Sequence, residues 1–352
     1  MIYFDTPSSG LFSEASKEAV DRFNTEMLVN PSKVSEWFRN DRLPVLRNLL
    51  SQFLNASISD IALIPNTSFG LNSILASLKN IQSVLLYEKE YLGLTMPFEI
   101  GDYSIHSFKD IDGYHWDNSS IKKKLLDNKV ELFVFSSVQW LTGYRADVSD
   151  LCAFCREHGI ITIDDYSQSM GSLKFSFNDS DMDIALFSNY KWMNAGFGSG
   201  VMCMKSEFLK QNKPVLAGYN SAAPLFDFDN FKPNIRCYEP GHLNLHAFSA
   251  LIPSLEHKLD LGIEQIEAKN ISLSKSFIDG AQNIGFEIVG DKLNRSSIVL
   301  LKNKTDLKNH LDQHEVACQE RGAGIRFGFH YHNTIEEVND CLEILSKFNP
   351  TL

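Results

Sequence analysis

Two short apolar runs constrain the fold most: Gly159-Ile160-Ile161-Thr162-Ile163 and Ile184-Ala185-Leu186-Phe187-Ser188, each stopping on polar residues. Runs this short, without polar alternation, fit strands buried on both faces, as in a parallel sheet covered by helices. The first leads into Asp164-Asp165. The second leads through Ser188-Asn189-Tyr190 to Lys191 and a tail containing Gly196, Gly198 and Gly200. Ligands of open α/β sheets bind beyond the carboxyl ends of the strands. The stretch 160–201 therefore predicts a site in which one lysine faces an aspartate from the neighbouring strand.

A second site element lies upstream. Ile61-Ala62-Leu63-Ile64-Pro65 reads as a strand, and Asn66-Thr67-Ser68-Phe69-Gly70 turns into a helix whose apolar positions are Leu71, Ile74, Leu75 and Leu78. The hydroxyls of Thr67 and Ser68 and the free N–H groups of the first turn then sit where an anion is favoured. An amine, a carboxylate and an anion cradle suit a cofactor that is at once aldehyde, phosphate and pyridine. Pyridoxal phosphate is that cofactor, with Lys191 as its Schiff-base lysine and Asp165 as the partner of the ring nitrogen.

Other classes are disfavoured. A net charge of -11 argues against nucleic acid, and the one basic run, Lys122-Lys123-Lys124, reads as a solvated helix face. No apolar run approaches the roughly 18 residues of a membrane span, and the opening MIYFDTPSSG lacks a targeting pattern, so a cytoplasmic, membrane-free protein is expected. Cys152 and Cys155 share the apolar stripe of a helix with Val148 and Leu151, which predicts core packing rather than a redox or metal pair. His310 and His314 have metal-compatible spacing but no further ligand, so no metal is expected.

The motifs resemble those of class V aminotransferases. Asp165-Tyr166-Ser167-Gln168-Ser169-Met170-Gly171 is similar to their D-x-x-Q-S-x-G segment, and Ser188 to Gly196 to S-x-[HY]-K-[WY]-x-x-[GA]-[GP]. Ser136 to Asp147 resembles S-x-V-x-W-x-x-G-x-R-A-D, Arg236 to Asn244 resembles R-x-E-x-G-T-x-N, and Gly322 to Thr334 resembles G-G-G-I-R-x-S-x-x-x-x-N-T. The resemblance implies that Thr67, Ser68, Ser188 and Tyr190 fix the phosphate and that Gln168 bonds the phenolic oxygen. It also implies that Tyr91 stacks on the ring, that Gln139 touches the ring or the amino acid, and that Arg326 binds the substrate α-carboxylate. His242 stands where the family has Thr, in a segment that reaches the partner subunit's phosphate, which implies a homodimer with shared active sites. Arg145 reads either as a substrate contact or as a structural ion pair, and Ser8 and Ser9 are minor substrate-contact candidates.

The resemblance further implies the fold type I architecture of pyridoxal phosphate enzymes. A three-layer α/β/α domain with a mostly parallel sheet (21–250) is joined by an N-terminal segment near the active site (1–20) and a small α+β domain (251–352). With 352 residues the chain exceeds what one core supports. The expected function is aminotransferase-like chemistry on an α-amino acid, with a desulfurase-, kynureninase- or epimerase-like reaction as the alternative and an inactive scaffold as the least favoured. The desulfurase branch carries a mobile R-x-G-x-H-C loop well before the substrate arginine, whereas Cys318 lies only eight residues before Arg326 and no histidine precedes it.

Overall fold

The computed structural model describes residues 1–224, 230–291 and 293–348. Seven strands, β1 (Ile61–Ile64), β2 (Ser83–Tyr87), β3 (Ser104–Phe108), β4 (Leu132–Phe135), β5 (Ile161–Asp165), β6 (Ile184–Ser188) and β7 (Gly200–Met204), form one sheet in the order β1-β7-β6-β5-β4-β2-β3. Only β7 runs against its neighbours β1 and β6; every other pairing is parallel.

Successive residues of these strands enter two different apolar cores. Leu63, Phe133, Phe135, Ala185 and Phe187 face Phe38, Leu46, Leu50 and Leu251, while Ala62, Ile64, Leu132, Val134, Ile184 and Leu186 face Leu71, Ile74, Leu94 and Phe98. A period of two with apolar side chains at both phases buries the sheet on both faces. That is the two-faced burial expected from the two runs and the three-layer α/β/α arrangement that the resemblance implied. Each fully buried Phe or Leu contributes on the order of 2 kcal/mol.

The apolar run Leu132-Phe133-Val134-Phe135 continues in sequence into Ser136-Ser137-Val138, which still reads as extended, but β4 stops at Phe135. The N–H of Ser136 turns to the Glu90 carboxylate (2.9 Å) and that of Ser137 to Asp164 (3.0 Å), so side chains replace the neighbouring strand as acceptors. Cys152 and Cys155 lie buried on the helix Ser149–Glu157, as expected for core packing. The N-cap position of that helix is Val148, and the Asp147 carboxylate just before it accepts the N–H of Ser149 at 3.2 Å.

The C-terminal unit is an antiparallel sheet in the order β10-β11-β9-β8, built from β8 (Ile288–Val289), β9 (Ile298–Lys302), β10 (Gln319–Arg321) and β11 (Gly324–Gly328). Leu273 and Phe277 of the helix Ile263–Asn283 and Val338 of the helix Ile335–Ser346 pack with Val299, Leu301, Ile325 and Phe327. The N-terminal segment belongs to this core. The Phe4 ring packs, tilted, with its centre 4.7 Å from that of Phe329, and Ile2–Tyr3 pairs in parallel with Val316–Ala317. The helix Leu245–Leu261 runs through residue 250 and ends at Gly262, whose φ is +80°, and its Phe248, Leu251 and Leu255 still pack in the large core. We place the division between the units at Gly262 on that ground.

In the connection 219–240, residues 225–229 lie outside the described residues, and short turns occupy Tyr219–Ser221 and Ile235–Tyr238. Among the described residues no helix is long and apolar enough to cross a membrane.

Candidate active site

The carboxyl ends of β4, β5 and β6 and the start of the helix Thr67–Ser77 meet the N-terminal segment and β11. Asp165, the last residue of β5, is 8% exposed and accepts the N–H of Ser167 at 2.9 Å. Burial pushes its carboxyl up, and the charge of Lys191 together with the Ser167 hydrogen bonds pulls back. Lys191, three residues beyond β6, is also 8% exposed. Its Nζ lies 5.6 Å from the ring centres of both Tyr91 and Tyr190. Burial pushes this amine down to about 8, against the pull of Asp165 and with the push of Arg326. Lys191, Asp165, Tyr91, Tyr190 and Arg326 thus form one constellation.

Beside it lies a cluster of hydroxyls. Asn66 caps the helix by accepting the N–H of Phe69 at 2.9 Å, which leaves Thr67 as the first helical residue. The Thr67 N–H donates to Ser188 Oγ (3.0 Å), and Thr67 Oγ1 lies 2.8 Å from Ser188 Oγ and 3.1 Å from Ser167 Oγ. Ser167 was not singled out from sequence; only its place between Asp165 and Gln168, at the exit of β5, signals it. Ser68 is exposed, and its carbonyl accepts from Asn72 at 2.9 Å.

Arg326, on β11, is 3% exposed. Its Nη1 donates to the Trp140 carbonyl and its Nη2 to Ser8 Oγ, both at 2.7 Å, while its buried Nε has no hydrogen-bond partner among the described residues. Burial pushes the guanidinium down to about 10. Ser8 is therefore tied to the site through Arg326. Tyr91 is 43% exposed, with its ring 6.0 Å from that of Trp140. Gln139 is buried, and its Nε2 reaches the Ser136 carbonyl at 3.4 Å. Gln168 is held at both ends of its amide, donating to Pro7 O (3.1 Å) and accepting from Trp192 Nε1 (3.0 Å).

Sequence reasoning missed Glu90. Buried at 6% exposure, it accepts from the N–H of Tyr91 (2.8 Å), the N–H of Ser136 (2.9 Å) and the hydroxyl of Ser136 (2.8 Å). Burial pushes its carboxyl up to about 7 against those three donors. It joins the Tyr91 backbone to the end of β4; in sequence it opens the stretch Glu90 to Phe98, which resembles the family's E-F-P-S-x-x-x-P-W, and only Tyr91 of that stretch was given a role.

Two candidates lie apart. His242 Nδ1 is 3.0 Å from Tyr219 Oη, and the residue lines a cavity of about 420 Å³ with Arg39, Arg236 and Glu239 rather than joining the residues around Lys191. Arg145 pairs with Glu267 at 2.7 Å, which favours the structural reading of the two left open. All six cysteines are buried. The Cys318 thiol is 2% exposed and pushed up to about 12 by burial.

A family model described as aminotransferase class-V matches residues 2–341. An uncharacterized aminotransferase of Schizosaccharomyces pombe is 27% identical over 98% of this chain and 90% of its own. A probable cysteine desulfurase of Pyrococcus abyssi is 23% identical over 100% of this chain and 95% of its own. Among solved structures, the complex of the cystine C-S lyase C-DES with cysteine persulfide superposes with a TM-score of 0.89 at 18% identity, covering 99% of this chain and 98% of that one. The last likeness bears on the fold, which is the type I architecture expected from the sequence.

Proposed function

The chain belongs to the class-V aminotransferase family, and from that premise we propose a pyridoxal phosphate-dependent enzyme that moves the Cα proton of an α-amino acid in an aminotransferase-like reaction. The observation that carries this reading is the buried Lys191 amine, pushed down to about 8 while flanked by Tyr91 and Tyr190 and facing Asp165. The residues fit the group. The amine stands ready for an aldehyde, the carboxylate for a pyridinium nitrogen, and the hydroxyls at a helix start for a phosphate.

When bound, the cofactor supplies a carbonyl for the amino group and a ring that withdraws electrons from Cα. Asp165 holds a proton on the ring nitrogen by a charge-assisted bond. Thr67, Ser188 and the added Ser167 bind the phosphate through their hydroxyls, Ser68 adds its backbone N–H, since those of Thr67, Phe69 and Gly70 are given to Ser188 and Asn66, and Tyr190 completes that set. Tyr91 covers the ring and excludes water. Gln168, whose oxygen is engaged by Trp192, has a second N–H for the phenolic oxygen, and Gln139 stands at the same strand end. Arg326 grips the α-carboxylate, using N–H groups beyond those given to Trp140 and Ser8, and so fixes which Cα bond faces Lys191. Lys191 takes the Cα proton as general base. His242 is assigned to the partner subunit's phosphate in a homodimer.

The relatives named as cysteine desulfurases favour a second reading, loss of a β-substituent, which starts with the same proton transfer. A version in which a protein thiol takes up sulfur has no support, because every cysteine is buried. An amino-acid panel read by product mass tests the proposal. A keto acid formed together with the amine form of the cofactor supports transamination. Ammonia released with a keto acid that has lost its β-substituent replaces it by elimination, as does an amino acid carrying hydrogen where that substituent stood.

A further inference from the structure

The four residues after Lys191 turn back beneath it, and Asn194 sits in the left-handed region at φ +56°. Its backbone N–H donates to the Lys191 carbonyl at 3.1 Å, and its Nδ2 donates to the Leu11 carbonyl at 2.9 Å. One residue thus ties the lysine's own peptide to the N-terminal segment. Its side-chain oxygen, Oδ1, accepts from Lys258 Nζ at 3.1 Å and from His330 Nε2 at 2.9 Å.

The protonation of this cluster follows from its donors. His330 Nδ1 faces Asn270 Nδ2 at 3.2 Å, an N–H donor, while Nε2 faces the Trp192 carbonyl at 2.9 Å. Nδ1 therefore accepts and Nε2 carries the proton, which makes the imidazole neutral. Lys258 is 0% exposed. Its neighbours are Asn194, His330 Nε2 at 3.3 Å and the Tyr331 ring at 4.3 Å, and burial alone holds its amine well below the usual lysine range. Stability does not call for an amine here: an apolar chain of the same length avoids the desolvation. What the amine provides is an N–H aimed at the amide that fixes the Lys191 backbone. The same helix, Leu245–Leu261, also sends the Ser254 hydroxyl to the Met193 carbonyl. The carbonyls of Trp192 and Met193 and the Asn194 side chain are thus all held from the helix or from the segment after β11.

We propose that Lys258 and His330 are positioning residues for Lys191, acting through Asn194 and the Trp192 carbonyl. This rests on the assignment of Lys191 as the carbonyl-binding lysine. Neither residue touches substrate or cofactor; each sets where the Lys191 backbone starts, and hence where its amine ends.

The test uses the full-length chain stripped of cofactor, limiting pyridoxal phosphate, and borohydride trapping, with labelled peptides identified by mass and melting followed in parallel. In the wild type, label at a residue other than Lys191 sinks the assignment on which the proposal rests; label at Lys191 leaves the positioning question open to the variants. Lys258→Met is expected to label Lys191 at least tenfold more slowly with an unchanged or raised melting temperature, a combination that a merely structural lysine does not give. His330→Leu is expected to slow labelling similarly, and His330→Gln, which keeps a side-chain N–H, to restore most of the rate. Wild-type labelling rates in Lys258→Met and His330→Leu overturn the proposal, as does a slowing that only follows lost melting temperature in all three variants. If Lys258→Met does not fold, the two His330 variants decide: a gap between them supports positioning, and equal rates refute it.

Discussion

A lysine left in water stays protonated at neutral pH and neither adds to a carbonyl nor takes a proton. Burial changes that for Lys191, whose amine is pushed down to about 8 against the pull of Asp165. The free-amine fraction then rises about tenfold per pH unit below 8 and levels off above it. Borohydride trapping at Lys191 should follow that curve, and Lys191→Ala should abolish both the label and turnover. Burial has a stability consequence of fixed sign. The unfolded chain binds more protons than the folded one between pH 8 and 10.5, so folded stability rises across that window. Lys191→Met should therefore stabilise the cofactor-free protein at pH 7, by at most about 3 kcal/mol, with an advantage that shrinks as pH passes from 8 to 10.5 in urea denaturation. Arg326 makes a different demand, because its planar fork serves Trp140, Ser8 and the proposed carboxylate at once. Arg326→Lys keeps the charge and loses the fork. KM for the preferred amino acid should rise about 10- to 100-fold with kcat less affected, as read in steady-state kinetics. Lys191, Asp165 and Arg326 were legible because each stands in or beside an apolar run with a fixed motif around it. Glu90, Ser167 and Lys258 were not, since their roles come from contacts between segments far apart in the chain, such as Glu90 with Ser136 and Lys258 with Asn194.

At the level of elements, strand ends and loop crossings build the site. β4 gives up its last pairings because Glu90 and Asp164 take the N–H groups of Ser136 and Ser137, and this frees the chain to swing toward Gln139 and Trp140. Periodicity in sequence showed where apolar runs lie and predicted the two-faced sheet. It did not show this early ending, since Ser136-Ser137-Val138 still reads as extended. The N-terminal segment crosses the Lys191 loop at Gly10, whose N–H donates to the Tyr190 carbonyl at 2.7 Å. A Cβ on residue 10 would stand 1.8 Å from the Lys191 carbonyl oxygen, far inside van der Waals contact with backbone. Gly10→Ala therefore forces either the segment or the Lys191 loop to move. The expected result is a cost of about 1–3 kcal/mol, visible as a lower melting temperature, together with weakened binding of pyridoxal phosphate in absorbance titration. Unchanged cofactor binding in a folded Gly10→Ala protein would remove the crossing from the site's architecture.

At the scale of the whole molecule, the site lies where two cores meet, and the N-terminal segment stitches them by placing Phe4 in the small core and Gly10 against the large one. The sequence reading expected two units and an N-terminal segment near the active site but not this stitch, because Ile2-Tyr3-Phe4 is too short to announce which sheet it joins. A second link closes the far side. His115, just after β3, places Nδ1 2.6 Å from Asp112 and Nε2 2.8 Å from Asp291, and Asp291 opens the turn leading into β9. Both ring nitrogens donate to carboxylates only when the imidazole is protonated, and the hydrogen bond to Asp112, with the added pull of Asp291 against partial burial, raises its pKa above 6.5. The sign follows from the raised value: the folded state holds this proton more tightly, so the stabilisation is complete below 6.5 and is lost as pH climbs through the folded pKa. Asp291 also accepts the N–H groups of Leu293 (2.8 Å) and Asn294 (3.1 Å), and Asn294 in turn receives the Arg145 N–H at 3.0 Å, so the clamp leads back to the turn carrying Gln139 and Trp140. Because the pair is partly exposed, its worth is small. His115→Gln should lower the melting temperature by about 1–2 °C at pH 6 and by less at pH 9. A difference that is equal at both pH values would show that the imidazole joins the two units as a neutral group.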